Sequence, residues 1–127
     1  MASSKRTHSY VEEAFRQICE QPGIVDVVIL NAAGNPVRTT LEEQRSLEHA
    51  GMWTQLMQKS KYAVQNIDPE DDVLFLRVRT KQHETIVTPD EKLTYVVVQN
   101  PQDKISVKPQ GIALSKGSNE SAGGRVI

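Results

Sequence analysis

The sequence has a single cysteine, Cys19, in 127 residues. No internal disulfide can form, so a reducing, intracellular compartment is the expectation. It also lacks an excess of either charge. Its 15 Lys and Arg against 16 Asp and Glu leave a formal net charge of -1, which favours neither nucleic acid nor an acidic membrane surface as a partner. It contains no apolar run of about eighteen residues, so no transmembrane helix is expected. The opening Met1-Ala2-Ser3-Ser4-Lys5-Arg6-Thr7-His8 is polar where a secretory signal would be apolar. Ala2 stands where N-myristoylation would need glycine.

The residue patterns of common chemistry are also missing. His8, His49 and His83 lie far apart, without the spacing of a metal site. Cys19 falls on an apolar helical stripe with nothing nearby to lower its pKa, so it reads as a small buried hydrophobe rather than a nucleophile. Asp68, Glu70, Asp71 and Asp72 form an acidic cluster without the ligand spacing of an EF-hand, and read as a solvated turn. Gly34 belongs to a hairpin, and no Walker-type Gly-Lys-Ser/Thr ending follows it. No enzymatic activity, metal or cofactor is expected. The chain reads as a small intracellular module that works through its surfaces.

What is present is one domain of ordinary size with a tail. Residues 1–8 are polar and read as a flexible lead. Ser9 and Glu12 have the spacing of a capping box, and Val11, Ala14, Phe15, Ile18 and Cys19 follow at helical spacing until Pro22-Gly23. Ile24–Leu30 predicts a central strand, apolar on both faces, with Val25, Val27 and Ile29 on one side and Ile24, Val28 and Leu30 on the other. Asn31-Ala32-Ala33-Gly34-Asn35 is a hairpin turn. Pro36–Thr40 is a short return strand at an edge, because Pro36 has no N–H to donate. Thr40 and Glu43 offer a second capping box for a long helix reaching about Ile67. Its inward stripe is Trp53, Leu56, Met57, Ser60, Val64 and Ile67, extended by Leu47 and Ala50, and Gly51 is a point where it starts late or bends.

Val73–Asn100 predicts a three-strand meander broken at Lys81-Gln82-His83 and Pro89-Asp90-Glu91-Lys92. With the first and fifth strands central, the sheet order is 2-1-5-4-3. The fold class is α/β in the α+β sense: a five-stranded, mostly antiparallel sheet with helices on both faces. The third strand, Val73–Arg79, is then an edge with Leu74, Leu76 and Val78 on one face and Val73 and Phe75 on the other. A long apolar edge strand invites pairing, and the simplest cover is the same strand of a second copy, joining two chains into one continuous sheet. Arg77 and Arg79 either pair with acidic groups of a partner or keep the edge soluble. Residues 102–127 change composition and read as a flexible tail, or one that docks through Ile105, Val107, Ile112 and Leu114.

From about Val11 to Pro101 the chain resembles the roadblock-type dynein light chains, as a divergent member. The resemblance is carried by Gly23-Ile24, Val28–Leu30, Asn31-Ala32-Ala33-Gly34-Asn35-Pro36-Val37-Arg38-Thr39-Thr40, Ile67-Asp68-Pro69-Glu70-Asp71-Asp72, Leu74-Phe75-Leu76-Arg77-Val78-Arg79-Thr80-Lys81, Pro89-Asp90 and Val96-Val97-Val98-Gln99-Asn100-Pro101. It implies a roadblock-type domain over residues 9–101. It also implies a dimer, with itself or a roadblock-type paralogue, built on the long helix and third strand. Met57, Lys61, Val64, Val73, Phe75 and Arg77 would then lie at or near the dimer or partner interface. It further implies binding to dynein intermediate chains and, through them, association with heavy chains and microtubules, in the cytoplasm and cytoskeleton. The divergent second helix, longer lead and added tail point to an axonemal dynein of a cilium or flagellum. The alternative is a roadblock-type scaffold or regulator of a small GTPase, because fold alone does not fix function.

Overall fold

The computed structural model describes residues 2–101, with side chains described from His8 onward; the expected tail lies outside the described residues. The element order is α1 (Ala2–Cys19), β1 (Ile24–Leu30), β2 (Pro36–Thr39), α2 (Glu43–Ile67), β3 (Leu76–Arg79), β4 (Glu84–Pro89) and β5 (Thr94–Gln99). The five strands form one antiparallel sheet in the order β2-β1-β5-β4-β3.

Helix α1 begins at Ala2, not at Ser9. The stretch 2–8 contains neither Gly nor Pro, so nothing stops the helix from extending toward the N-terminus, and Ser9 sits inside it rather than at its cap. The helix ends where expected: Gly23 takes φ 85°, a conformation that glycine adopts without strain. The Asn100 N–H donates to the Gly23 carbonyl at 2.8 Å, tying this corner to the end of β5. Val11, Phe15 and Ile18 pack against Val27, Ile29 and Leu93 on one face of the sheet. Cys19 does not join them. It is exposed, because it closes the helix beyond the edge of that cluster. What burial it has pushes its thiol pKa up, against the pull of Arg38, which disfavours the reactive thiolate.

The other face carries Val28, Leu30, Val87 and Val96, with Ala50 and Met57 of α2 and, at the margin, Leu41, Trp53, Val73 and Leu76. Ile24 packs on the α1 face instead of with Val28 and Leu30. The cause is an irregularity in the β1–β5 register between Ile24 and Asp26. One extra residue there inverts the inside–outside alternation. Val27, Val28, Ile29 and Leu30 are all buried, and each such side chain contributes about 1.5–3 kcal/mol.

The second capping box does not form. Thr40 Oγ1 accepts from the Val27 N–H at 3.0 Å and donates to the Asp26 carboxylate at 2.9 Å. Thr40 therefore prolongs the β1–β2 pairing. The N-cap of α2 is Glu42, whose carboxylate accepts from the Gln44 N–H at 2.7 Å, with its charge at the positive end of the helix dipole. The helix runs unbroken through Gly51. Its buried residues are Ser46, Ala50 and Met57, spaced four and seven apart along one stripe. Leu47, Leu56 and Ile67, expected to face inward, are exposed, because they lie to either side of that stripe.

Candidate functional site: the β3 edge and the free half of α2

Strand β3 is shorter than its sequence predicts. Only Leu76–Arg79 pairs, from Leu76 opposite Val87 to Arg79 opposite Glu84, and Val73–Phe75 lies outside the strand. The register supplies the reason. Extending it places Phe75 opposite Thr88 and Leu74 opposite Pro89, and a proline has no N–H to offer a ladder. The alternation also fails at this point. Val73 and Leu76 both pack on the α2-face cluster, a spacing of three that a regular strand cannot produce.

The result is an apolar run with no cover among the described residues. Leu74 is 79% exposed and Phe75 52%. Helix α2 flanks it. At 25 residues the helix is about 37 Å long, against roughly 23 Å for the longest strand. Its core-facing stripe ends at Met57, and in the half beyond it Tyr62 is 73% exposed and Ile67 87%. The segment 68–72 turns back alongside this half. Lys61 Nζ lies 3.3 Å from Asp72 Oδ1, and Gln65 Nε2 donates to the same carboxylate at 3.4 Å.

Asp68, Asp71 and Asp72 of the acidic cluster serve this turn. The Asp68 carboxylate accepts from the Glu70 N–H, and Asp72 accepts from the Val73 N–H at 2.7 Å. That backbone bond, followed by the hydrogen bond from Lys61, holds the Asp72 carboxyl below its usual pKa. Among the described residues, no group of three or more His, Cys, Asp or Glu is arranged to hold a metal ion.

Each of the six residues predicted at the interface has a definite place. Met57 is buried in the core of this chain, and Val73 packs at the margin of the same cluster. Val64 and Lys61 are half-buried on the helix. Phe75 is open to solvent. Arg77 points away from the α2-face core, with Nε 3.5 Å from the nearly buried Glu84 carboxylate. Met57, Lys61 and Val64 thus lie on α2, Val73 and Phe75 on the segment entering β3, and Arg77 in β3 itself. Tyr62, and the exposure of Leu74 and Ile67, do not emerge from the sequence. Leu74 belongs to the apolar edge strand that the sequence predicts, and Ile67 to the stripe predicted to face inward, yet both are exposed.

Depressions also lie elsewhere on the described residues. One, of about 570 Å³, runs beside α1 and is lined by Phe15, Cys19 and Arg38 among others. Arg38 closes part of it by stacking 4.2 Å over the Phe15 ring and pairing with Glu12 at 3.0 Å. Another, about 480 Å³, lies on the first half of α2 around His49, Met52 and Trp53.

Residues 10–100 match the family model of the Roadblock/LC7 domain. The structure is similar to the crystal structure of a Roadblock/LC7 domain from Streptomyces avermitilis, with a TM-score of 0.60 and 15% sequence identity over 67% of this chain and 72% of that one. At that identity the likeness is one of fold.

Proposed function

As the chain belongs to the Roadblock/LC7 domain family, we propose that it is a non-catalytic light chain of a dynein motor. In this reading it dimerises through the β3 edge and the free half of α2 and holds intermediate chains together in the tail of an axonemal motor. The family includes both dynein light chains and regulators of small GTPases. The dynein reading is favoured by the resemblance to the light chains of the stretch Ile67–Lys81, with its Asp-Pro turn and Leu-Phe-Leu-Arg-Val-Arg strand.

The observation that carries the proposal is the uncovered Leu74-Phe75 run beside the overshooting helix. An apolar edge of this kind pairs or aggregates. A permanent dimer buries on the order of 2,000 Å² or more, which one strand pair cannot supply, so the exposed half of α2 takes part. Two copies joined in this way bring two bound intermediate chains close together and raise their effective concentration for each other.

The test is to purify the tagged chain from its native cells with and without GTP and identify what accompanies it by mass spectrometry. Dynein intermediate and heavy chains, recovered regardless of nucleotide and in axonemal isoforms, are expected. Recovery of a small GTPase in a nucleotide-dependent way, without dynein, would replace this reading with the regulatory one.

A further inference from the structure

Helix α1 covers only part of its face of the sheet. It packs mainly on β1 and β2. Arg38 of β2 holds it on that side, pairing with Glu12 and stacking on the Phe15 ring. The strand register identifies what lies on the other side. Val27 stands opposite Val97, Val97 opposite Ile86, and Ile86 opposite Arg77, so the four share the α1 face. Val27 is fully buried. Val97 and Ile86 keep partial exposure, and the α1-face core does not include them.

These two side chains form an apolar step between α1 and the β3 edge. The next row of the same face is polar and internally paired. Gln99 Nε2 donates to one oxygen of the nearly buried Glu84 carboxylate at 3.0 Å, and Arg77 Nε lies 3.5 Å from the other. The apolar step is therefore bounded at the end where the chain leaves the sheet.

That exit is fixed. Strand β5 ends at Gln99, and the Asn100 N–H donates to the Gly23 carbonyl at 2.8 Å. Val97 lies about 13 Å back from Pro101 along the strand. The six chain steps from Pro101 to Val107 span up to about 20 Å, enough to turn and return over the step. The sequence there is Lys104-Ile105-Ser106-Val107-Lys108, followed by Pro109. In an extended segment this alternation sets Ile105 and Val107 on one side and the three polar residues on the other.

We propose that the chain's own C-terminal segment, residues 104–108, lies extended over Ile86 and Val97, with Ile105 and Val107 against them and Lys104, Ser106 and Lys108 toward water. A contact this small would hold a separate molecule weakly. A short tether raises the effective concentration to the order of millimolar, which favours the segment already attached at Pro101. The contact rests on neither the dimer nor the dynein reading.

The test is NMR of the full chain with its Ile and Val methyl groups labelled. Cross-peaks are expected between the methyls of Ile105 or Val107 and those of Ile86 or Val97. Ile105→Asp with Val107→Asp should abolish them and shift the Ile86 and Val97 resonances. Val28 and Val96, on the α2 face, should stay in place and so report an intact fold. Ile112→Asp with Leu114→Asp, which adds the same charge farther along, should leave the cross-peaks unchanged. Absence of the cross-peaks in the wild type, or Ile86 and Val97 resonances that the first pair of substitutions does not move, would overturn the proposal. A mixture of labelled and unlabelled copies separates contacts within a chain from those between chains. Cross-peaks found only between chains would assign the step to a second copy and overturn it too.

Discussion

Single side chains set several local conditions that can be tested one at a time. His49 is the clearest. Its Nδ1 accepts the Trp53 indole N–H at 3.1 Å, which only an uncharged ring can do. Burial lowers its pKa from the ordinary 6.5; Arg45 adds to the shift, while Asp26 and Glu48 oppose it. With the folded value below the unfolded one, the unfolded chain takes up the proton first. The stabilisation is therefore complete above about pH 6.5 and is lost as the pH falls through the lower folded value. The melting temperature of the wild type should drop between pH 7 and pH 5 by more than that of His49→Gln; equal slopes would remove His49 as the cause. Thr40 offers a second case. Thr40→Val loses the hydroxyl that serves both the Val27 N–H and Asp26, and should cost about 1–3 kcal/mol in denaturant unfolding.

At the scale of elements, helix α2 gives a prediction of opposite sign. Gly51 lies within the helix, and an added Cβ there would meet nothing within 4 Å. Gly51→Ala should therefore stabilise the fold by about 1 kcal/mol, read as a rise of roughly 4–8 °C in melting temperature. Element order, strand order and the two-sided core were legible because hydrophobic period and turn residues agree over most of the chain. Val27–Leu30 is apolar on both faces, and Gly34 at φ 88° closes the expected hairpin. Three features depend on partners that a local pattern does not display. Thr40 joined the strand ladder rather than the helix because Asp26 and Val27 were within reach. Ile24 changed face because of a register shift against β5. Strand β3 stopped at Leu76 because Pro89 stands on the neighbouring strand. The candidate site was legible as a location, an apolar edge beside a long helix. Which of its residues are open to a partner was not, since Met57 and Val73 serve this chain's own core while Leu74 and Tyr62 lie outside it.

For the whole molecule, the uncovered edge links stability to assembly. If two copies pair there, melting temperature should rise with protein concentration by mass action. Phe75→Asp should abolish that dependence, giving a monomeric or insoluble protein; a soluble Phe75→Asp dimer would remove the β3 edge from the interface. The most direct test is amide hydrogen exchange followed residue by residue at low and high protein concentration. The account predicts that the amides of Leu74 and Phe75, which have no strand partner among the described residues, exchange fast when dilute and become protected when concentrated, together with residues of α2 beyond Met57. Fast exchange at Leu74 and Phe75 at every concentration, or new protection confined to β2 at the opposite edge, would contradict it.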